Sequence, residues 1–247
     1  MTTNETKKVA LVTGGNRGIG LETARELGAQ GYVVVIGVRD QAKAAPALAT
    51  LRAEGIQADS VVYDAKRPET DRGVAEYLER TYGKLDALVN NAGVLQEELI
   101  SQSVLEVSDA VLEETFAVNV FAVVRLTRAL LPLLRKSEAG RIVNVSSVLG
   151  SLGVHSAPNS PIAAAKSFAY NASKTALNAF TVHLADVLAG TSIKVNSIHP
   201  GWVKTELGGA GAPDEVAGSG KTSARLATVE AGGPTGRFFH GETELPW

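Results

Sequence analysis

No cysteine occurs in the 247 residues. Disulfides, thiolate metal sites and cysteine nucleophiles are therefore excluded, and a reducing compartment fits, with the cytoplasm as the default. Aromatic residues are scarce at 5%, and no uninterrupted apolar run approaches the roughly 20 residues of a membrane span. The N-terminal stretch Met1 to Lys8 is polar and lacks the apolar centre of a signal peptide. Charge of one sign is lacking too: the formal net charge is −2. Nothing there points to nucleic acid or an anionic membrane as a partner. His155, His183, His199 and His240 are scattered without metal-ligand spacing, so no metal site is expected. Of the four, His155 lies in the segment best placed to line a pocket.

What is present is an alternation of short apolar runs and amphipathic stretches. Strands are predicted at Val9–Val12, Val33–Ile36, Ser60–Tyr63, Leu85–Val89, Arg141–Val145, Ile193–Ile198 and Gly236–Phe239. Helices are predicted over Ile19–Gln30, Ala42–Glu54, Val111–Arg135 and Tyr170–Leu188, with Pro132 able to kink or shorten the third. Strands rich in Val, Ile and Leu that alternate with helices give an α/β fold. The expected form is a doubly wound, Rossmann-type parallel sheet of about seven strands with helices on both faces. With no repeat and no low-complexity linker, residues 1–247 read as one domain. Gly208 to Gly220, rich in Gly and Ala, reads as a mobile loop. Gly218-Ser219-Gly220-Lys221-Thr222 imitates the end of a phosphate-binding Walker loop, but Glu215 stands where that loop needs glycine and no strand precedes it.

A doubly wound sheet binds its ligand beyond the carboxyl ends of the strands. Thr13-Gly14-Gly15-Asn16-Arg17-Gly18-Ile19-Gly20 occupies that place after the first strand. Glycines there let the backbone approach a pyrophosphate, and the following helix offers N–H groups and a positive dipole end. The end of the second strand, Gly37-Val38-Arg39-Asp40, bears on which dinucleotide binds. If Asp40 is the diagnostic position, it takes the ribose diol of NAD. If Val38 is, Arg39 takes the 2′-phosphate of NADP, with Arg17 as a second guanidinium. Tyr170 and Lys174 stand four apart and share a face in a helix. An ammonium beside a phenol lowers the phenol pKa toward the range where it can exchange protons in catalysis.

Taken in order, these motifs resemble the short-chain dehydrogenase/reductase family over nearly the whole chain. They are the glycine turn, Asn90-Asn91-Ala92-Gly93, Asn119, Ser147, the Tyr170–Lys174 pair and Pro200-Gly201-Trp202-Val203-Lys204-Thr205. Trp202 and the ending Pro234-Thr235-Gly236 with Phe238-Phe239 resemble the carbonyl reductase branch. The resemblance implies NADPH-dependent reduction of a ketone or aldehyde, with Tyr170 as proton donor. Lys174 would lower the Tyr170 pKa and hold the nicotinamide ribose, Ser147 would hold the substrate oxygen, and Asn119 would support Lys174 through a water. Gly14, Asn16, Arg17, Gly18, Ile19, Gly20, Asn91, Ala92 and Gly93 would line the cofactor. Asp64 and Ala65 would lie near the adenine, and Pro200, Val203 and Thr205 near the nicotinamide. The diagnostic position falls on Val38 with Arg39 next, which selects NADP(H). Asn90 reads as a brace between strands, and Ser147 takes precedence over Ser146. The rival readings are an alcohol dehydrogenase working in the oxidative direction and a non-catalytic NADP-binding sensor.

Ser147 and Tyr170 stand farther apart than that family usually places them. The extra residues lie within Leu149 to Ala169, where Gly and Pro break any simple helix and the run Ala163-Ala164-Ala165 could begin an extra helical turn. This segment is expected to form one wall of the substrate pocket. It is also expected to make a monomer or dimer favoured over a tetramer.

Overall fold

The computed structural model describes residues 7–97 and 104–247; the first six residues of the polar N-terminal stretch lie outside them. Seven parallel strands form one sheet: β1 (Val9–Thr13), β2 (Val33–Val38), β3 (Ala58–Val62), β4 (Ala87–Asn90), β5 (Arg141–Val145), β6 (Lys194–Ile198) and β7 (Arg237–His240). Their order is β3-β2-β1-β4-β5-β6-β7. An eighth strand that the sequence pattern did not announce, β8 (Thr243–Glu244), pairs antiparallel with β7. Two exposed residues carry no apolar alternation, so no periodicity marks them.

Every residue of β1, β2, β4 and β5 is buried, which is why these strands read as continuous apolar runs. Successive side chains alternate faces. Ala10, Val12, Val34 and Ile36 meet Leu27 of helix α1 (Gly18–Ala29), Leu51 of α2 (Ala45–Ala53) and Ala224 of α8 (Lys221–Ala227). Leu11, Val35 and Leu88 meet Leu78 of α3 (Glu69–Tyr82), Leu130 of α5 (Ala122–Leu134) and Leu184 of α7 (Phe168–Val187). The third predicted helix divides into α4 (Asp109–Phe116), a π-helical turn over Ala117–Phe121 and α5. Pro132 lies inside the last turn of α5, which ends at Leu134, one residue before the predicted end. The run Asp109–Leu134 is long and apolar enough to cross a bilayer by length and composition alone. Its Val118, Ala122, Leu126, Leu130 and Leu133 are buried against the sheet, as in a core helix.

Two differences from the sequence reading have plain causes. The run Ala163–Ala165 forms turns and no helix; the extra helix is α6 (Leu152–Ser156), started by the Ser151 hydroxyl, which accepts from Val154 N at 3.0 Å. The glycine-rich stretch after β6 is stitched down. Trp202 Nε1 donates to Gly208 O at 2.8 Å, and Gly218 N donates to a Glu22 carboxylate oxygen at 3.0 Å. The Walker-like Gly220 is glycine for packing, since a Cβ there would lie 2.3 Å from Thr23 N of α1, and Lys221 opens α8.

A polar ladder crosses the apolar sheet. Asn90 Nδ2 donates to Asn144 Oδ1 at 2.9 Å, and Asn144 Nδ2 donates to Thr181 Oγ1 at 2.8 Å. Thr181 Oγ1 and Ser197 Oγ share a further bond at 2.8 Å. Asn90 is thus a brace between β4 and β5, as expected. Asn144 is fully buried and serves both neighbours. Asn144→Ala should destabilise the protein by about 1–3 kcal/mol per orphaned partner. Urea unfolding would measure it, and a loss under about 0.5 kcal/mol would show the ladder to be dispensable.

Candidate active site

The sheet changes direction of growth between β1 and β4, and their carboxyl ends diverge there. Thr13 ties them together. Its Oγ1 accepts from Asn91 N at 2.9 Å and from Ala92 N at 3.0 Å, and its carbonyl accepts from Asn91 Nδ2 at 2.8 Å. The Asn91 side chain is therefore spent on holding the glycine turn. Gly14 (φ 65°) and Gly18 (φ 54°) take the left-handed backbone region, which a side chain would strain. A Cβ on Gly20 would lie 2.3 Å from Gly14 O. No side chain caps the start of α1, so its first-turn N–H groups face outward from a cradle of bare backbone. That cradle fits a dinucleotide pyrophosphate.

Arg17, Arg39 and Asp40 are exposed, each just after the carboxyl end of a strand, β1 for Arg17 and β2 for the other two. Asp40 caps the turn Gln41–Ala44, its Oδ1 accepting from Ala42 N at 2.9 Å. Val38 is the last residue of β2 and is buried beside β3. Arg17 pairs with Glu206 on the segment after β6. Asp64 and Ala65 follow β3. Asp64 Oδ1 accepts from Lys66 N at 3.0 Å, and Ala65 O accepts from Arg125 Nη2 at 2.9 Å.

A cavity of about 370 Å³ opens beside the glycine turn. It brings together Ile19, Asn91, Gly93, Ser147, Tyr170, Lys174, Pro200, Val203 and Thr205, residues scattered along the whole chain. The remaining expected residues stand around it. Gly14, Asn16, Gly18 and Gly20 belong to the turn, Ala92 to the loop after β4, and Asn119 to the π-helical turn. Asn119 Oδ1 accepts from Val94 N at 2.9 Å, while its Nδ2 donates to Val94 O at 2.9 Å and Ser173 Oγ at 3.0 Å. A Cβ on Gly93 would lie 3.3 Å from Asn119 Oδ1 and 3.5 Å from Lys174 Nζ, so glycine keeps these two groups close.

Ser147 and Tyr170 both line the cavity, and the Ser147 hydroxyl accepts from Leu149 N at 3.2 Å. Ser146 is committed elsewhere, its hydroxyl donating to Lys174 O at 3.3 Å. Burial pushes the Tyr170 phenol up to about 12, with the nearby Ser147 hydroxyl pulling the other way. The expectation that Lys174 holds this phenol low is not met here. Lys174 Nζ lies 5.5 Å from the ring centroid and donates to Val145 O at 2.8 Å. Burial in turn pushes the ammonium down to about 8. At neutral pH the pair is a phenol and an ammonium.

Two residues escaped the sequence reading. Glu97 is buried, and its Oε2 accepts from Tyr170 N at 2.8 Å, capping the first turn of α7 from outside the helix. Its only sequence signal is its place soon after Gly93. His199 lines the cavity. Burial and the neighbouring His240 push it down to about 3, so it stays neutral. His155, the histidine expected near the pocket, turns instead to a second groove, with Nε2 2.9 Å from Leu149 O. Leu207 completes the apolar lining, together with Leu149, Pro161, Ile162, Ala164 and Ala165 of the expected wall.

The family profile described as short chain dehydrogenase matches residues 8–215. The chain is 31% identical to short-chain dehydrogenase/reductase 1 of Saponaria officinalis, over 98% of this chain and 96% of that protein. It is 34% identical to the 3-oxoacyl-(acyl-carrier-protein) reductase of Pseudomonas aeruginosa, over 81% of this chain and 75% of that one. The solved NADPH-bound carbonyl reductase from chicken fatty liver superposes with a TM-score of 0.84 at 26% identity, covering 98% of this chain and 99% of that chain.

The buried ammonium has a consequence for stability. The folded-state value of about 8 lies below the ordinary 10.5, so the unfolded chain binds the proton more tightly. The cost of burying Lys174 is full below about pH 8 and fades as pH rises toward 10.5. Lys174→Met should therefore be more stable than the parent at pH 7, with the gap narrowing between pH 8 and 10. Urea midpoints across that window measure it, and a constant gap would refute the burial argument.

Proposed function

This chain belongs to the short-chain dehydrogenase family, and on that premise we propose that it reduces an uncharged ketone or aldehyde to the alcohol with NADPH. The observation that carries the reading is the meeting of Ser147 and Tyr170 in one apolar cavity beside the glycine cradle. Reduction needs a proton donor at the carbonyl oxygen, and a phenol held protonated by burial is one. Oxidation would need that phenol ionised. Among the described residues, Lys174 is the one charged side chain in the lining, and it donates to Val145 O. A neutral substrate therefore leaves no buried charge unpaired.

Bound NADPH supplies the hydride that reaches the carbonyl carbon. Tyr170 gives its phenolic proton to the carbonyl oxygen, while Ser147 steadies that oxygen as charge develops on it. Lys174 holds the nicotinamide ribose, and Asn119 supports Lys174 from across Gly93. Gly14, Asn16, Gly18, Ile19 and Gly20 receive the pyrophosphate. Asp64 and Ala65 bound the adenine, and Asn91, Ala92 and Gly93 line the cofactor. Pro200, Val203 and Thr205 bound the nicotinamide. Arg39 and Arg17 take the 2′-phosphate. For Arg17 this means exchanging an exposed carboxylate, Glu206, for a phosphate, which costs little because exposed pairs are weak. The engagement of Asp40 in its own turn favours NADPH over NADH.

Tyr170→Phe keeps the ring and removes the proton. Carbonyl-dependent loss of NADPH absorbance should fall by about 100-fold or more in that variant, with NADPH binding retained. Full activity would overturn the mechanism, and an absence of NADPH oxidation by the parent across a panel of neutral ketones would overturn the reading as a whole. Arg39→Ala should raise the KM for NADPH by about 10-fold and leave that for NADH little changed. Equal effects on both would remove Arg39 from the 2′-phosphate site.

A further inference from the structure

Residues 149–168 separate two spaces. On one side Leu149, Pro161, Ile162 and Ala165 line the active-site cavity; on the other Leu152 and Phe168 line the second groove. The ends of this wall are fastened to the catalytic helix. A Cβ on Gly150 would lie 2.7 Å from the Lys174 backbone, and Thr175 Oγ1 donates to Gly150 O at 2.9 Å. Asn171 Nδ2 donates to Ala165 O at 2.9 Å. Between these ends stands α6, five residues long with none buried and with Leu152 62% exposed. Such a helix cannot hold itself in place, because one turn does not repay its nucleation.

The far end of the chain holds it. Gly153 N donates to Trp247 O at 2.7 Å, and Ser151 Oγ donates to Pro246 O at 2.7 Å. The Trp247 ring stacks on Phe238 with centroids 5.7 Å apart and planes at 13°. Phe238 is fully buried in β7, so the tail bears on the rigid sheet. β8 brings it there by reversing the chain, with Leu245 N donating to Phe238 O at 2.8 Å. Position 153 is shaped for this seat, since a Cβ there would come within 2.9 Å of Trp247 O and 3.2 Å of Pro246 Cβ.

We infer that Pro246 and Trp247 are positioning residues for substrate choice: they clamp α6 to the sheet and so fix how far the Pro161–Ala165 wall stands from Tyr170. The inference rests on the reading of the cavity as a carbonyl-reduction site. The clamp touches neither the glycine turn nor the catalytic pair, so loosening it should change which carbonyls fit and leave cofactor binding alone.

The test compares the parent, Trp247→Ala and Gly153→Ala as full chains. Cyclohexanone and 4-tert-butylcyclohexanone offer the same carbonyl with different bulk. In Trp247→Ala the kcat/KM of the bulky ketone relative to the small one should rise by about 10-fold, with the KM for NADPH unchanged. Gly153→Ala crowds the seat while leaving the aromatic stack, and it should shift the same ratio even if the tryptophan variant folds poorly. Ratios within about two-fold of the parent in the folded variants would overturn the inference. Hydrogen exchange reads the clamp without turnover. Amides of residues 153–155 should lose about 10-fold protection in Trp247→Ala while those of the sheet keep theirs, and unchanged exchange would also overturn it. A parent inactive on every ketone would count against the carbonyl reading alone, because exchange still judges the clamp.

Discussion

The active site depends first on one threonine. Where β1 and β4 part, two backbone N–H groups and one side-chain amide would otherwise be left pointing into the widening gap. Thr13 gathers all three, with its hydroxyl under the backbone of Asn91 and Ala92 and its carbonyl under the Asn91 amide. That staple sets the glycine turn against the loop after β4, and the cavity stands on both. Gly20 then has to be bare because Gly14 O is pressed against it. A groove for a nucleotide is thus made by fastening two strand ends side by side, and the glycines follow from the closeness.

Behind the groove the protein keeps polar groups in an apolar interior by satisfying them in chains. Asn90, Asn144, Thr181 and Ser197 cross three strands and α7, each serving the next. The same economy governs the corner around Tyr170 and Lys174. Lys174 is buried, loses affinity for its proton, and is received by the Val145 carbonyl. Tyr170 is buried, holds its proton more tightly, and shares the cavity with Ser147. Desolvation drives both shifts, because the low-dielectric surroundings disfavour whichever form is charged. Glu97 adds a carboxylate at the first turn of α7, a favourable place for negative charge near a helix N-terminus.

Much of this was legible in the chain. Buried strands such as Val33–Val38 are continuous apolar runs because both faces are covered, and such runs announce themselves. The glycine turn, Ser147, Tyr170 and Lys174 were legible because their chemistry and order are unusual together. α3 was not among the predicted helices, because most of its residues are polar, although Val74, Leu78 and Tyr82 recur at helical spacing. α8 was hidden behind a glycine-rich stretch, because its seat depends on Gly220 fitting against Thr23, a contact between distant segments. His199 was hidden for a similar reason: only the packing of β6 beside β7 places it in the cavity.

The sequence by itself determined the alternation of strand and helix, the place of the glycine turn and the pairing of Tyr170 with Lys174 on one helix, because each is carried by local spacing and residue chemistry. Only the tertiary structure decided the state of that pair. Charge on Tyr170 and Lys174 is set by how deeply each is buried and by which way Nζ points, and neither is encoded in a spacing of four. It also decided the substrate wall. Gly153 and Trp247 lie at opposite ends of the last hundred residues, and only the reversal of the chain at β8 brings them within hydrogen-bonding distance.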